Sequence, residues 1–135
     1  MHESAVQEKG RILIVEDHEG LRHSMKRWLG TVFPACEVID LQTGEEAIAL
    51  CGELNPGLIL MDIKLPGMNG LEATRELKGI NPLTKIIILT IYDTNGFRKS
   101  ALEAGADAFI SKNHMGRDLI PAVKEALCPS AADSD

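Results

Sequence analysis

The chain has 135 residues, a length that suits one domain with a substantial hydrophobic core. Its net charge of −6 excludes binding to nucleic acid or anionic membranes through bulk positive charge. Three cysteines without metal-type spacing, and the lack of a signal-peptide pattern or a membrane-length apolar stretch, predict a cytoplasmic protein with no membrane partner.

Short apolar runs alternate with amphipathic segments along the chain. In chain order they predict a strand at 11–15, a helix at 19–31, a strand at 37–40, a helix at 43–54, a strand at 58–61, a helix at 71–79, a strand at 85–90, a helix at 97–104, a strand at 108–112 and a helix at 116–127. Thr43 and Glu46 have the spacing of a capping box, and His18 is predicted to be solvated. Pro121 lacks a backbone donor and is expected to kink the last helix, which should end at Cys128.

This alternation is typical of a parallel sheet covered by helices on both faces. With right-handed crossovers, five strands favour a flavodoxin-like α/β fold, a doubly wound (βα)5 sheet in three αβα layers with strand order 2-1-3-4-5. Residues 11–128 are predicted to form this domain, residues 1–10 an N-terminal tail, and residues 129–135 a C-terminal tail or the start of a linker. The crevice of such a sheet opens between the carboxyl ends of strands 1 and 3.

The third predicted strand ends on an aspartate. The run at 58–61 is wholly apolar, and Pro66 and Gly67 force a turn shortly after Asp62. A strand of this kind is buried on both faces, so Asp62 falls at the carboxyl end of the sheet, where open α/β sheets bind ligands. Because carboxylates act as covalent nucleophiles toward phosphorus, we predict that Asp62 accepts a phosphoryl group.

Four other polar residues end strands at the same predicted edge. Glu16 and Asp17 follow the first strand, Thr90 ends the fourth and Lys112 ends the fifth. Each alone would usually be a solvated cap, but three carboxylates, a hydroxyl and an ammonium around one crevice point to chemistry. Two carboxylates about 4 Å apart repel by about 4 kcal/mol at an effective dielectric constant of about 20. Mg²⁺ would relieve this repulsion with the oxygen ligands that it prefers, and the lysine would neutralise charge on transferred oxygens.

Four motifs occur together in one known family: IVED at 14–17, MDIKLPGMNG at 61–70, LT at 89–90 and GADAFISK at 105–112. With them the chain resembles the receiver domain of two-component response regulators from residue 11 to about residue 127. The stretches around Tyr92 and Phe109 are similar to the NarL/FixJ type of this family.

The resemblance implies how the acidic residues act. Asp62 would accept phosphate from a phosphohistidine on a sensor histidine kinase or a phosphotransfer protein. Mg²⁺ would be bound by Asp17, Asp62 and the backbone carbonyl of Lys64, with Glu16 holding the ion through water. The chemistry would be limited to self-catalysed phosphoryl acceptance and slow autodephosphorylation, so the chain is not expected to be an enzyme.

The resemblance also implies a switch. Lys112 would pair with the phosphoryl group, and Thr90 would donate its hydroxyl to a phosphoryl oxygen. Phe109, at the aromatic switch position, would fill the space that Thr90 leaves, and the surface of the fourth helix, fifth strand and fifth helix would change. Homodimerisation on phosphorylation belongs to the same expectation.

The chain departs from the family pattern at the switch. Phe109 lacks the hydroxyl of the tyrosine often found there, so it cannot form an outward hydrogen bond. Lys64 and Tyr92 each lie two residues past a key position and would flank the phosphoryl site. We hypothesise that they modulate the access of hydrolytic water and so the lifetime of the aspartyl phosphate.

Three other functions fit less well. A phosphohydrolase of the haloacid-dehalogenase type would need a second aspartate where Lys64 stands. A binding domain that has lost phosphorylation is disfavoured because the required residues are all present. Dinucleotide binding lacks its glycine-rich fingerprint after the first strand.

The output of the domain is open. After Lys112 only 23 residues remain (135 − 112), too few for a helix-turn-helix effector, so no direct DNA contact is expected from this chain. The chain is either a stand-alone receiver that acts through protein contacts or the receiver part of a longer transcriptional regulator. The NarL/FixJ character favours the second.

Overall fold

The computed structural model describes residues 10–127, in which strands and helices alternate. The strands are β1 Arg11–Val15, β2 Glu37–Leu41, β3 Leu58–Met61, β4 Lys85–Thr90 and β5 Ala108–Ser111. The helices are α1 Glu19–Val32, α2 Gly44–Leu54, α3 Gly70–Ile80, α4 Asn95–Ala104 and α5 Met115–Leu127. A single 3-10 turn, Lys112–His114, separates β5 from α5.

The five strands form one parallel sheet in the order β2-β1-β3-β4-β5, which confirms the predicted flavodoxin-like topology. Every residue of β3 is buried, because helices cover both faces of the sheet. On one face Leu13 and Ile59 pack with residues of α2, α3 and α4. On the other face Ile14 and Leu60 pack with residues of α1 and α5. The helices cover the two faces of the sheet, and the loops that follow the strands lie at its carboxyl edge.

Side-chain caps set where several helices begin. The predicted capping box is present: the Thr43 hydroxyl accepts from the Glu46 amide at 3.1 Å, and the Glu46 carboxylate accepts from the Thr43 amide at 3.2 Å. Asn69 and Glu72 form a second capping box at the start of α3. His18 is exposed, as predicted, and its Nδ1 also accepts from the Leu21 amide at 3.1 Å and so caps α1.

The predicted bounds are wrong at one place that matters for the site. β5 ends at Ser111, one residue earlier than predicted, and Lys112 begins the 3-10 turn. The Ser111 hydroxyl accepts from the Asn113 amide at 3.1 Å, and this bond starts the turn. α5 continues through Pro121, and the kink at that residue stays a prediction.

Apart from Gly10, both predicted tails lie outside the described residues, and so does the end of the last helix at Cys128. None of the helices between residues 10 and 127 combines the length and the apolar character that a membrane crossing requires.

Candidate functional site

Three carboxylates meet at the carboxyl edge of the sheet. In the parallel register Val15 of β1 lies beside Met61 of β3, so the residues that follow these two strands emerge side by side. Glu16, Asp17 and Asp62 each place one carboxylate oxygen so that the three oxygens lie within 4.8 Å of one another. Glu16 and Asp62 are buried, at 3% and 7% exposure, whereas Asp17 is exposed.

Lys112 closes this acidic cluster. Its Nζ donates to Glu16 Oε1 at 2.7 Å and to Asp62 Oδ2 at 2.9 Å. Burial alone would lower the pKa of Lys112, but its hydrogen bonds to Glu16 and Asp62 and the attraction of both carboxylates outweigh burial and raise the pKa above its ordinary value of 10.5. The side chain is therefore an ammonium at neutral pH, and it bridges a residue of β1's loop to a residue of β3's loop.

The backbone supplies a second donor to each buried carboxylate. The Ile63 amide donates to Asp62 Oδ1 at 2.7 Å, and the His18 amide donates to Glu16 Oε2 at 3.0 Å. These bonds offset the cost of burying two charged groups and fix their orientation. Three carboxylates and one ammonium carry a net charge of −2 (−3 + 1), which matches one divalent cation. The donor set of carboxylate oxygens suits a hard ion.

Thr90 lies at the same edge, one strand away from Asp62. Met61 of β3 pairs with Ile88 of β4, and Thr90 is the last residue of β4. The side chain is fully buried, and its Oγ1 accepts from the Tyr92 amide at 3.3 Å. Within residues 10–127 the Thr90 hydroxyl donates no hydrogen bond, so its proton is available to a new acceptor.

Phe109 lies on β5, beside Ile88 of β4, and is half-buried. The guanidinium of Arg98 in α4 stands over its ring, 4.7 Å from the ring centroid. Arg98 Nε also donates to Asp93 Oδ1 at 2.8 Å. The ring without a hydroxyl is thus covered by a cation that the sequence patterns did not indicate.

Lys64 and Tyr92 approach each other across two loops of the same edge. Lys64 Nζ is 5.4 Å from the centroid of the Tyr92 ring, within the range of a cation–π contact. The Tyr92 ring also packs on Phe97 of α4, with 5.7 Å between ring centroids. Tyr92 is therefore held in place on both sides.

Arg22 of α1 and Asp40 of β2 adjoin the acidic cluster, and neither was predicted from the sequence. Arg22 is 5% exposed, donates through Nη1 to the main-chain carbonyl of Glu16 at 3.0 Å, and donates through Nε to Asp40 Oδ2 at 3.1 Å. One signal was available in the sequence. Arg22 precedes Met25 and Leu29 at helical spacing, so a charged residue occupies the buried stripe of α1.

The fold and the site define a class of protein, an α/β domain of flavodoxin-like topology with an acidic cluster and a lysine at the carboxyl edge of its sheet. The sequence model of the response regulator receiver domain matches residues 12–124. The chain therefore belongs to the response regulator receiver domain family.

Similar proteins are response regulators. The transcriptional regulatory protein DegU of Brevibacillus brevis is 38% identical over 125 residues, which are 92% of this chain and 52% of that protein. The response regulator protein VraR of Staphylococcus aureus is 36% identical, over 85% of this chain and 55% of VraR. The chain spans about half the length of the curated relatives it matches.

Solved structures agree with these matches. A two-component response regulator of the LuxR family from Aurantimonas sp. superposes with a TM-score of 0.82 at 31% identity, over 88% of this chain and 85% of that one. A CheY-like receiver domain protein from Methanospirillum hungatei gives a TM-score of 0.80 at 37% identity, over 87% of this chain and 93% of that one.

Proposed function

We propose that this receiver domain accepts a phosphoryl group on Asp62 from a phosphohistidine of a sensor histidine kinase or a phosphotransfer protein. The observation that carries the proposal is the buried Asp62 carboxylate, which faces two further carboxylates and is bonded by Lys112 at 2.9 Å. Such a set pairs a nucleophile with the charges that phosphoryl transfer needs around it. The exchange would take place in the cytoplasm, where the free thiols Cys36 and Cys51 would stay reduced.

We propose Mg²⁺ as the cofactor of this phosphoryl transfer. The carboxylates of Asp17 and Asp62 and the main-chain carbonyl of Lys64 would bind the ion, with Glu16 holding it through water. The site charge of −2 and the oxygen donors support this assignment. When bound, the ion would neutralise charge on the oxygens of the transferred group.

The transfer itself exchanges one bond for another. An oxygen of the Asp62 carboxylate forms a bond to phosphorus, the bond from phosphorus to the donor's histidine nitrogen breaks, and that nitrogen keeps the electron pair. Asp62 is oriented for this by the Ile63 amide, which holds Oδ1 at 2.7 Å. Lys112, already within hydrogen-bond distance of Asp62, would transfer a hydrogen bond to the phosphoryl group.

Phosphorylation would switch the surface formed by α4, β5 and α5. The free hydroxyl proton of Thr90 would be donated to a phosphoryl oxygen, and Phe109 would fill the space that Thr90 leaves. A shift of the population from 1:99 to 99:1 requires about 5.5 kcal/mol, which new bonds to Thr90 and Lys112 and burial of the Phe109 ring would supply together. Homodimerisation would follow from the changed surface.

We further propose that the domain is the receiver part of a longer transcriptional regulator. This is supported by DegU, which is named a transcriptional regulatory protein and of which the match covers only 52%. DNA contact would then belong to another domain, not to this chain. The alternative is a stand-alone receiver that acts through protein contacts alone, and sequencing the gene beyond residue 135 decides between the two.

Incubation with Mg²⁺ and acetyl phosphate tests phosphoryl acceptance directly. Intact mass spectrometry should show the wild-type chain gaining the mass of one phosphoryl group, and Asp62→Asn should gain none, because an amide cannot act as the nucleophile. Asp93→Asn, at an exposed aspartate of the same edge, is the matched control and should be phosphorylated like the wild type. Phosphorylation of Asp62→Asn would contradict the proposal.

Lys64 and Tyr92 should protect the aspartyl phosphate from water. Lys64→Ala and Tyr92→Ala each remove one half of a contact at 5.4 Å, worth about 0.5–1 kcal/mol, so autodephosphorylation should become roughly two- to fivefold faster. The decay of the phosphorylated mass after removal of acetyl phosphate measures this rate. Lys99→Ala, at an exposed lysine of α4, is the control. Decay at the wild-type rate in both variants would refute the role.

A further inference from the structure

Arg22 is a buried cation that the phosphoryl chemistry does not use. It lies in α1 on the stripe of Met25 and Leu29, where a charged side chain is costly unless it is paired. Asp40 of the edge strand β2 provides the countercharge, with 3.1 Å between Arg22 Nε and Asp40 Oδ2. Lys26 donates to the other oxygen of Asp40, also at 3.1 Å.

Asp40 is suited to hold this arginine. Burial would raise its pKa, but the hydrogen bonds from Lys26 and Arg22 outweigh burial and keep the pKa below its ordinary value of 3.8. Asp40 is therefore a carboxylate at neutral pH. The pair fixes the guanidinium in one position between α1 and β2.

The other end of the guanidinium reaches the main chain of the acidic cluster. Arg22 Nη1 donates to the Glu16 carbonyl at 3.0 Å, and the Glu16 amide donates to the Leu41 carbonyl of β2 at 3.0 Å. The peptide group before Glu16 is thus held by β2, and the peptide group after Glu16 is held by Arg22. The Glu16 carbonyl belongs to the peptide group that continues into Asp17.

Asp17 depends on that peptide group for its orientation. Glu16 and Asp62 each have two hydrogen-bond donors on their carboxylates. The Asp17 carboxylate is exposed and has no hydrogen-bond donor among residues 10–127. Its place within 4.8 Å of the other two therefore follows from its backbone.

We propose that Arg22, fixed by Asp40, is a positioning residue that holds the Glu16–Asp17 peptide group and so sets the affinity of the site for a divalent cation. The inference rests on the proposed Mg²⁺ site and adds to it the residue that keeps one ligand in place. Groups that orient metal ligands from outside typically change metal affinity by about 10–100-fold when they are removed. Arg22→Met, of similar length and without donors, should raise the Mg²⁺ dissociation constant about tenfold.

Arg11 provides a matched control. It lies at the amino ends of β1 and β2, where its Nε donates to Glu37 Oε1 at 2.8 Å and its Nη1 donates to the Leu54 carbonyl at the end of α2 at 2.7 Å. Arg11→Met therefore removes bonds of the same types, from a more exposed ion pair, far from the acidic cluster. Its Mg²⁺ affinity should remain that of the wild type.

The main measurement is calorimetric titration of each full chain with Mg²⁺, without a phosphodonor. Amide hydrogen exchange gives a second readout, since the Glu16 amide should lose protection in Arg22→Met and keep it in Arg11→Met. With acetyl phosphate, phosphorylation of Arg22→Met should be slower than that of the wild type at low Mg²⁺ and should reach the wild-type rate at saturating Mg²⁺. A residue that only stabilised the fold would not make the rate depend on the Mg²⁺ concentration in this way.

A double variant keeps the test decisive if Arg22→Met folds poorly. Arg22→Met with Asp40→Asn removes both charges of the pair, and because the two residues act as one unit the double variant should bind Mg²⁺ as weakly as Arg22→Met alone. Wild-type affinity in the folded double variant would overturn the inference, as would an equal loss in Arg11→Met. If the wild type itself binds no Mg²⁺ or is not phosphorylated on Asp62, the proposed function fails instead.

Discussion

Replacing Gly70 with alanine is expected to destabilise the protein by about 3 kcal/mol and to displace the phosphoacceptor. Gly70 begins α3, and its amide donates to the Ile63 carbonyl at 2.8 Å, which brings the helix against the end of β3. A Cβ atom there would overlap the main-chain oxygen of Asp62 and lie 2.8 Å from its carbonyl carbon. Main-chain atoms cannot move aside as a flexible side chain can, so the helix and the strand end must separate.

Gly79 is the control for this substitution, because it lies in the same helix and a Cβ atom would meet nothing within 4 Å. Gly79→Ala should stabilise the protein by about 0.5–1 kcal/mol, since alanine favours the helix. Urea unfolding measures both free energies, and the rate of phosphorylation by acetyl phosphate should fall in Gly70→Ala alone. Wild-type stability in Gly70→Ala would show that the contact with Asp62 is not tight.

Gly70 also illustrates what the sequence could predict and what it could not. The dipeptide of Asn69 and Gly70 favours a turn just before the helix predicted at 71–79, because both residue types favour helix starts and turns. The close approach to Asp62 depends on the path of the loop between the two residues. Local sequence patterns do not specify that path. The steric requirement for glycine at position 70 is therefore visible only in the structure.

The fold was predictable because its signal is repeated. Most strands are short apolar runs, and the run at 58–61 is buried on both faces as its composition predicts. The alternation of strands and helices then leaves few topologies, and the predicted order is the observed one. The end of β5 was misplaced by one residue because the Ser111 hydroxyl starts a 3-10 turn, a local bond that hydrophobic periodicity does not report.

Two contacts between a helix and a strand, Arg22 with Asp40 and Arg98 with Phe109, were not predicted. Arg22 and Asp40 are 18 residues apart, and nothing in either segment indicates the other. Arg98 lies over Phe109 for a similar reason, since the contact joins α4 to β5. Each of these contacts depends on how closely a helix packs on the sheet near its carboxyl edge. The sequence predicts which face of the sheet a helix covers, but not how close the two lie.

Replacing Lys112 with methionine should destabilise the metal-free protein by about 3–5 kcal/mol. The variant leaves the carboxylates of Glu16 and Asp62, 3% and 7% exposed, without the ammonium that now bonds both. Mg²⁺ should stabilise Lys112→Met more than the wild type, because the lysine no longer competes for the same oxygens and tighter binding adds to the folded state. Phosphorylation by acetyl phosphate should still fall at least about a hundredfold, since a charge that stabilises the transferred oxygens is lost.

Lys78→Met separates this effect from the loss of any half-buried lysine. Lys78 forms an ion pair with Asp107 at 2.8 Å near the amino end of β5, away from the acidic cluster. Its removal should cost about 1 kcal/mol or less, without any dependence on Mg²⁺. Urea unfolding of both variants and the wild type, with and without Mg²⁺, measures the difference. If Mg²⁺ stabilises Lys112→Met no more than it stabilises the wild type, the lysine and the ion do not share the same carboxylates, and the acidic cluster is not the magnesium site.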